Sequence, residues 1–157
     1  MKHTIQALVE NKFGVLSRVA SLFSARGYNI ESLAVGETHD STISCMTIVV
    51  DAADERILEQ IKKQLHKLVD VITVVDFTRK EFVSRDLILA KAILDDDTQA
   101  LLETFCRDYP VRILEKAKAY WLLEICVEHH HEVQLLSDLK KIGIKELVRT
   151  GRIAITK

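Results

Sequence analysis

Residues 4–27, TIQALVENKFGVLSRVASLFSARG, decide how the first part of the chain folds. The stretch opens with apolar side chains at every second position, which is typical of a β-strand with one buried face. After residues 11–14 the apolar side chains recur every three or four positions, which is typical of an amphipathic helix that ends at Gly27, a favoured residue for closing a helix. The strand positions are Ile5, Ala7 and Val9, and the helix positions are Val15, Val19, Leu22 and Phe23.

The rest of the first half continues with strands and a second helix. Residues 29–38 and 42–51 predict two strands, joined by the polar sequence THDS, which has the chemistry of a hairpin loop. Residues 71–77, VITVVDF, are rich in β-branched side chains and predict a further strand. Between them, a second helix is predicted from apolar residues at helical spacing, Ile57, Ile61, Leu65 and Leu68. The predicted order is βαββαβ.

The second half repeats this order less regularly. Its first helix must end before Pro110, because proline cannot continue a helix. Its second helix is expected to end at Gly143, and the chain is expected to close with a hairpin that turns at Thr150 and Gly151. The predicted strands are 86–94, 111–117, 120–127, 146–149 and 152–156, and the predicted helices are 97–108 and 132–142.

These patterns predict an α+β protein made of two tandem ferredoxin-like domains. The first domain is expected at residues 1–77 and the second at residues 86–157, with the charged stretch 78–85 as the linker. A sheet of this kind buries one face under its helices and leaves the other face and an edge without a partner. We therefore expect the protein to form a homodimer.

Composition excludes several classes of protein. The chain has 157 residues, of which 48% are hydrophobic and 29% charged, so it can form real cores. Its net charge of −1 argues against nucleic-acid binding. No apolar run approaches the roughly 18 residues needed to cross a membrane, and the amino terminus has no apolar signal core. The three cysteines, Cys45, Cys106 and Cys126, lack metal-binding spacing, which predicts buried, reduced thiols and a cytoplasmic protein.

Two polar runs are candidates for metal ligands. The run of Asp95, Asp96 and Asp97 lies where a strand gives way to a helix, and acidic side chains are stabilised at a helix start by the exposed amides. We interpret it as a helix entry. The three residues His129, His130 and His131 cannot all converge on one metal from a strand, because neighbouring side chains point to opposite faces. Two of them could bind a metal together with a ligand from elsewhere, but a solvated loop is the favoured interpretation.

Sequence motifs of catalysis are missing. The chain contains no dinucleotide-binding GxGxxG, no P-loop, no HExxH and no GxSxG. The sequence therefore favours a binding protein over an enzyme, with no catalytic residues and no cofactor or metal of its own.

The loop at residues 10–18, ENKFGVLSR, can hold an amino acid. It leads into a helix, so the free N–H groups of the first helical turn can meet a carboxylate. Gly14 allows close approach to the backbone, and the amides of Asn11 and Asn29 can bind an ammonium or a carboxylate group without burying net charge. The simpler alternative is that Asn11 caps the helix and Gly14 only makes the turn.

Four segments resemble one family. Residues 8–36 (LVENKFGVLSRVASLFSARGYNIESLAVG), 46–51 (MTIVVD), 58–76 (LEQIKKQLHKLVDVITVVD) and 143–155 (GIKELVRTGRIAI) are similar to the regulatory, or small, subunits of acetolactate synthase, whose first domain is an ACT domain. The resemblance covers almost all of residues 1–80 and the tail, and is looser over about 95–142.

The resemblance implies a binding site and a partner. In that family two ACT domains pair side by side and valine binds at their interface, gripped by the loop before the first helix and by the Asn that starts the second strand. The matching residues here are Asn11, Gly14, Val15, Leu16, Ser17 and Asn29. The family's subunits bind the catalytic large subunit, activate it and confer feedback inhibition by valine. Thiamine diphosphate, magnesium and FAD belong to that large subunit.

Two residues depart from the family pattern. Phe13 stands where many members have proline, which leaves the loop freer and adds bulk near the site. Cys45 stands where many members have arginine. Two rival functions are a free-standing amino-acid- or metal-responsive regulator, for which no DNA-reading element is visible, and a small enzyme on the same fold.

Overall fold

The first half of the chain forms a four-stranded antiparallel sheet with two helices, in a computed structural model that describes residues 2–52, 55–95 and 98–157. The sheet order is β2-β3-β1-β4. This confirms the predicted βαββαβ order. The elements are β1 (Lys2–Glu10), α1 (Val15–Ser24), β2 (Ile30–Glu37), β3 (Ile43–Asp51), α2 (Glu55–Leu65) and β4 (Val71–Asp76).

The predicted apolar positions form the core of this first unit. Alternate residues of β1 point to one side of the sheet, where α1 and α2 cover them. Helix α1 buries one stripe because its apolar residues recur at helical spacing. The core residues that the sequence predicted are Ile5, Ala7, Val9, Val15, Val19, Leu22, Phe23, Ile61 and Leu65.

The second half forms another antiparallel sheet with two helices, in the order β6-β7-β5-β8. Its helices pack an apolar core of their own. The two-domain α+β fold is therefore confirmed. The elements are β5 (Phe82–Ile93), α3 (Thr98–Asp108), β6 (Val111–Lys116), β7 (Tyr120–Val127), α4 (His129–Ile142), β8 (Ile144–Arg149) and β9 (Ile153–Thr156).

The predicted hairpin at Thr150 and Gly151 is wrong. Strands β8 and β9 both pair with β5. Arg152 donates from Nη1 to Thr4 Oγ1 at 2.7 Å and from its main-chain N–H to Ser32 Oγ at 3.0 Å. The last strand therefore pairs with β5 and not with β8, and its residues belong to the first unit.

Contacts divide the chain differently from the predicted domain boundaries. One unit runs to Val83 and also includes Arg152–Lys157, and the other is Ser84–Gly151. Strand β5 begins at Phe82, inside the predicted linker 78–85. The second unit is thus inserted between two segments of the first, whereas the sequence assigned all of 86–157 to the second domain.

The histidine run lies in a helix, so the solvated-loop interpretation is wrong. Helix α4 begins at His129, and the His129 ring lies 2.9 Å from a carboxylate oxygen of Glu132, one turn away. This contact between positions i and i+3 is made possible by the helix itself. Among the residues that the structure describes, no three His, Cys, Asp or Glu side chains are placed to hold a metal ion.

The acidic run behaves as predicted where the structure describes it. Asp95 Oδ1 accepts a hydrogen bond from Thr98 N–H at 2.8 Å, and Thr98 Oγ1 accepts one from Asp95 N–H at 2.9 Å. This reciprocal pair satisfies the N–H of Thr98, the first residue of α3. Asp96 and Asp97 lie outside the described residues.

The cysteines are all free thiols, but they are not all buried as predicted. Cys45 and Cys106 are half-buried, and Cys126 is exposed. Burial raises the pKa of the Cys45 thiol, which keeps it protonated on β3. No helix among residues 2–52, 55–95 and 98–157 is long and apolar enough to span a bilayer.

Candidate functional site

Helix α1 begins at a glycine that leaves its first turn open. Gly14 is the N-cap with φ of 81°, a left-handed conformation that glycine adopts without a steric penalty. In the part of the chain that the structure describes, no side chain caps the helix, so the first-turn N–H groups are not satisfied by a capping residue. Leu16 and Ser17 are exposed on this turn, whereas the side chain of Val15 is buried in the core. An anionic group can therefore reach the backbone of Leu16 and Ser17.

Asn11 braces the loop and does not cap the helix. Its side-chain amide donates to Glu37 Oε1 at 2.9 Å and to the Ser41 main-chain oxygen at 2.8 Å, and its own N–H donates to Thr42 O at 2.7 Å. The alternative that Asn11 caps α1 is therefore wrong. Both amide hydrogens point to the β2–β3 hairpin, so the side-chain oxygen of Asn11 is the atom suited to accept from an ammonium group.

An ion pair that the sequence analysis missed lies beside Gly14. Arg18 Nε donates to Asp70 Oδ2 at 2.7 Å. A Cβ atom placed on Gly14 would lie 3.0 Å from Arg18 Nη1, so the guanidinium borders the open turn. The two residues are 52 positions apart, and only the packing of α1 beside the turn before β4 brings them together.

Charged side chains border the loop and the groove beside it. Lys12 forms an ion pair of 2.8 Å with Glu10, and this hydrogen bond raises the pKa of Lys12. Beyond Arg18 the surface continues into a groove of about 340 Å³ between the exposed sides of α1 and the end of α2. The groove is lined by Ser17, Arg18, Ser21, Leu22, Arg26, Gln64, Lys67 and Leu68. Arg18, which borders the open turn, and the helix end together favour an anionic group at this corner.

A larger cavity lies elsewhere in the first unit. It has a volume of about 580 Å³ and is bordered by α2 and by the end of β4. Two of its cations already have anionic partners, since Lys62 pairs with Glu59 at 2.6 Å and Arg79 pairs with Glu55 at 2.7 Å. None of the residues predicted for the site lines this cavity.

The structure does not bring Asn29 and Asn11 together within one chain. Asn29 is exposed just before β2, whose first residue, Ile30, pairs with Val50 of β3. Asn11 follows Glu10, which pairs with Ile43 at the other end of β3. The two ends are seven residues apart along β3 (50 − 43), or about 23 Å at roughly 3.3 Å per residue. Both asparagines can contact one small ligand only if they come from different copies of the chain.

Comparisons with known proteins identify the family. Residues 5–73 match the family described as the AHAS small subunit-like ACT domain, and residues 85–157 match the family described as the small subunit of acetolactate synthase. A probable acetolactate synthase small subunit of Archaeoglobus fulgidus is 39% identical over 157 residues, covering 100% of this chain and 98% of that protein. The acetolactate synthase small subunit of Mycobacterium leprae is 40% identical over 155 residues, covering 99% of this chain and 91% of that protein.

A solved structure agrees with these relatives. The crystal structure of the acetolactate synthase small subunit from Thermotoga maritima matches with a TM-score of 0.89 and 31% identity, covering 100% of this chain and 98% of that one. Both halves of this chain therefore match small subunits of acetolactate synthase. The chain belongs to the family of acetolactate synthase small subunits, with an ACT domain as its first domain.

Proposed function

We propose that this chain is a non-catalytic regulatory subunit that activates the acetolactate synthase large subunit and confers feedback inhibition by valine, in branched-chain amino-acid biosynthesis in the cytoplasm. The observation that carries the proposal is the open first turn of α1, with Gly14 in the left-handed conformation and a guanidinium beside it. This corner has the donors that an amino acid's carboxylate needs. Thiamine diphosphate, magnesium and FAD are assigned to the large subunit.

Each part of the effector has a matching group. The carboxylate accepts from the amides of Leu16 and Ser17 at the helix start. The ammonium donates to the side-chain oxygen of Asn11, and Glu37, which already accepts from Asn11, adds a negative charge nearby. The half-exposed side chain of Leu16 offers an apolar surface to a branched aliphatic group.

The second half of the site comes from a second copy of the chain. Strand β2 lies at one end of the sheet order, and no other strand among the described residues pairs with its outer edge. If two β2 edges pair in antiparallel fashion around a two-fold axis, the start of one lies beside the end of the other. Asn29 of a second copy then approaches Glu37, the residue to which Asn11 is bonded. Two such sites form in each homodimer, and an effector that bridges them favours one arrangement of the pair.

Valine is expected to raise the melting temperature of the purified protein. A ligand that binds only the folded state stabilises it by about 2.7 kcal/mol when present at 100 times its dissociation constant. Differential scanning calorimetry with valine, leucine and isoleucine tests this, with glycine at the same concentration as the control. The three branched-chain amino acids are compared because one methylene changes the free energy of binding by about 1–3 kcal/mol. If none of the three changes the melting temperature, the effector-binding part of the proposal is wrong.

A mixing experiment tests whether the site is shared. Gly14→Asp and Asn29→Ala should each abolish valine binding in homodimers. In a mixed dimer, one site receives the native Gly14 loop from one copy and the native Asn29 from the other, while the second site carries both changes. Co-refolding differently tagged variants and titrating the purified mixed dimer by calorimetry should recover one bound valine per two chains. No recovery would mean that both residues of a site come from the same chain.

A further inference from the structure

We infer that Arg18, positioned by the buried Asp70, makes the effector site select for a free α-carboxylate. The inference rests on the proposed function, since it concerns the same site and the same effector. It adds a side chain to a carboxylate pocket that otherwise consists of main-chain amides.

Asp70 is held in place from two sides. It is 6% exposed, and it directly precedes β4. Its main-chain oxygen accepts from Glu10 N–H at 2.9 Å, and its carboxylate accepts from Arg18 Nε at 2.7 Å. A carboxylate with this little exposure needs a cation, because removing an unpaired charge from water is costly. Asp70 therefore fixes where the guanidinium of Arg18 can lie.

The pairing leaves one side of the guanidinium available. Arg18 uses Nε for Asp70, and its side chain is still 46% exposed. Its Nη1 borders Gly14, at the open turn of α1. A guanidinium has five N–H donors in a fixed plane, so the Nη side can donate to a second carboxylate while Nε remains bonded to the first. Arg18 thus presents a directed cation to the place where the effector's carboxylate meets the helix amides.

The guanidinium of Arg18 changes how well the site can distinguish an anionic ligand from a neutral one. Main-chain amides donate to any oxygen acceptor, including the neutral carbonyl of an amino-acid amide. A guanidinium carries a full positive charge, so the attraction between opposite charges makes it favour a carboxylate over a neutral carbonyl. The helix end already favours the anion, and Arg18 adds a full positive charge to the site's preference for valine over valinamide.

The test measures the dissociation constants of valine and valinamide for the full-length protein by calorimetry at neutral pH. The native protein should bind valine more tightly than valinamide. Arg18→Gln should weaken valine binding roughly 10- to 100-fold and valinamide binding much less. The dissociation constant of valinamide divided by that of valine should therefore fall. Asp70→Asn should reduce the ratio partly, because the guanidinium remains but loses its anchor.

Two further variants separate this role from a structural one. Arg26→Gln removes an arginine near the other end of α1, whose guanidinium donates to Gln64, and should leave the ratio unchanged. Arg18→Lys keeps a cation for Asp70 but cannot serve two carboxylates with one planar group, so the preference for valine over valinamide should fall. This variant provides the test if Arg18→Gln does not fold. A native-like ratio in Arg18→Lys, or in a folded Arg18→Gln, would overturn the inference. Failure of the native protein to bind valine at all would instead overturn the proposed function.

Discussion

Phe23→Ala is expected to lower the free energy of unfolding by about 3–5 kcal/mol, because it removes a large side chain from the core of the first unit. Phe23 is 1% exposed and lies on the buried stripe of α1. Its ring also makes an edge contact with Tyr28, with centroids 6.5 Å apart. Since small proteins are stable by only about 5–15 kcal/mol, urea denaturation should show a large shift of the unfolding midpoint.

Phe13→Ala is the matched control for that measurement. It makes the same chemical change ten residues earlier, but Phe13 is 102% exposed and lies in the loop before α1. Its loss should change the free energy of unfolding by no more than about 0.5 kcal/mol. Equal destabilisation by the two substitutions would contradict the assignment of Phe23 to the core. The exposure of Phe13 also means that its ring does not fill the turn at Gly14 within one chain.

Gly14→Asp is expected to raise the valine concentration needed for half-inhibition of the reconstituted enzyme by roughly 100-fold or more. The new side chain would start 3.0 Å from Arg18 Nη1. Its carboxylate would then occupy the cationic corner and repel the effector's own carboxylate. Activation of the large subunit should remain, because the sheets and the cores are untouched. The assay measures acetolactate formation by the large subunit with each variant, with and without valine.

Gly27→Asp provides the control for backbone strain. Gly27 also has a left-handed conformation, with φ of 67°, and nothing lies within 4 Å of a Cβ placed on it. An aspartate there has a similar conformational cost and adds the same charge at the other end of α1. Valine should inhibit the enzyme reconstituted with Gly27→Asp as strongly as the enzyme reconstituted with the native protein. Loss of inhibition in both variants would mean that strain in α1, and not competition at the site, abolishes the response.

Much of the site's backbone could be predicted from the sequence, because its signals are local. The change from alternating to helical spacing around residues 11–14 places a loop before α1, and Gly14 marks the turn. The partners of that loop could not be predicted in the same way. Arg18 meets Asp70 across 52 positions, and Asn11 bonds to Glu37 across 26. Such contacts depend on which strands lie side by side, and residue spacing does not record this.

The sequence alone determined the order of strands and helices and most of their buried faces, because alternating and helical periods follow from backbone geometry. It also predicts the loop before α1 as the place where an amino acid's carboxylate can meet free amides. Only the tertiary structure decided that the last strand lies against the first unit through Arg152 and Thr4. It also decided that Asn29 lies at the far end of the sheet from Asn11. Which distant segments pair depends on how the whole chain folds, and the local spacing of apolar residues does not show which segments these are.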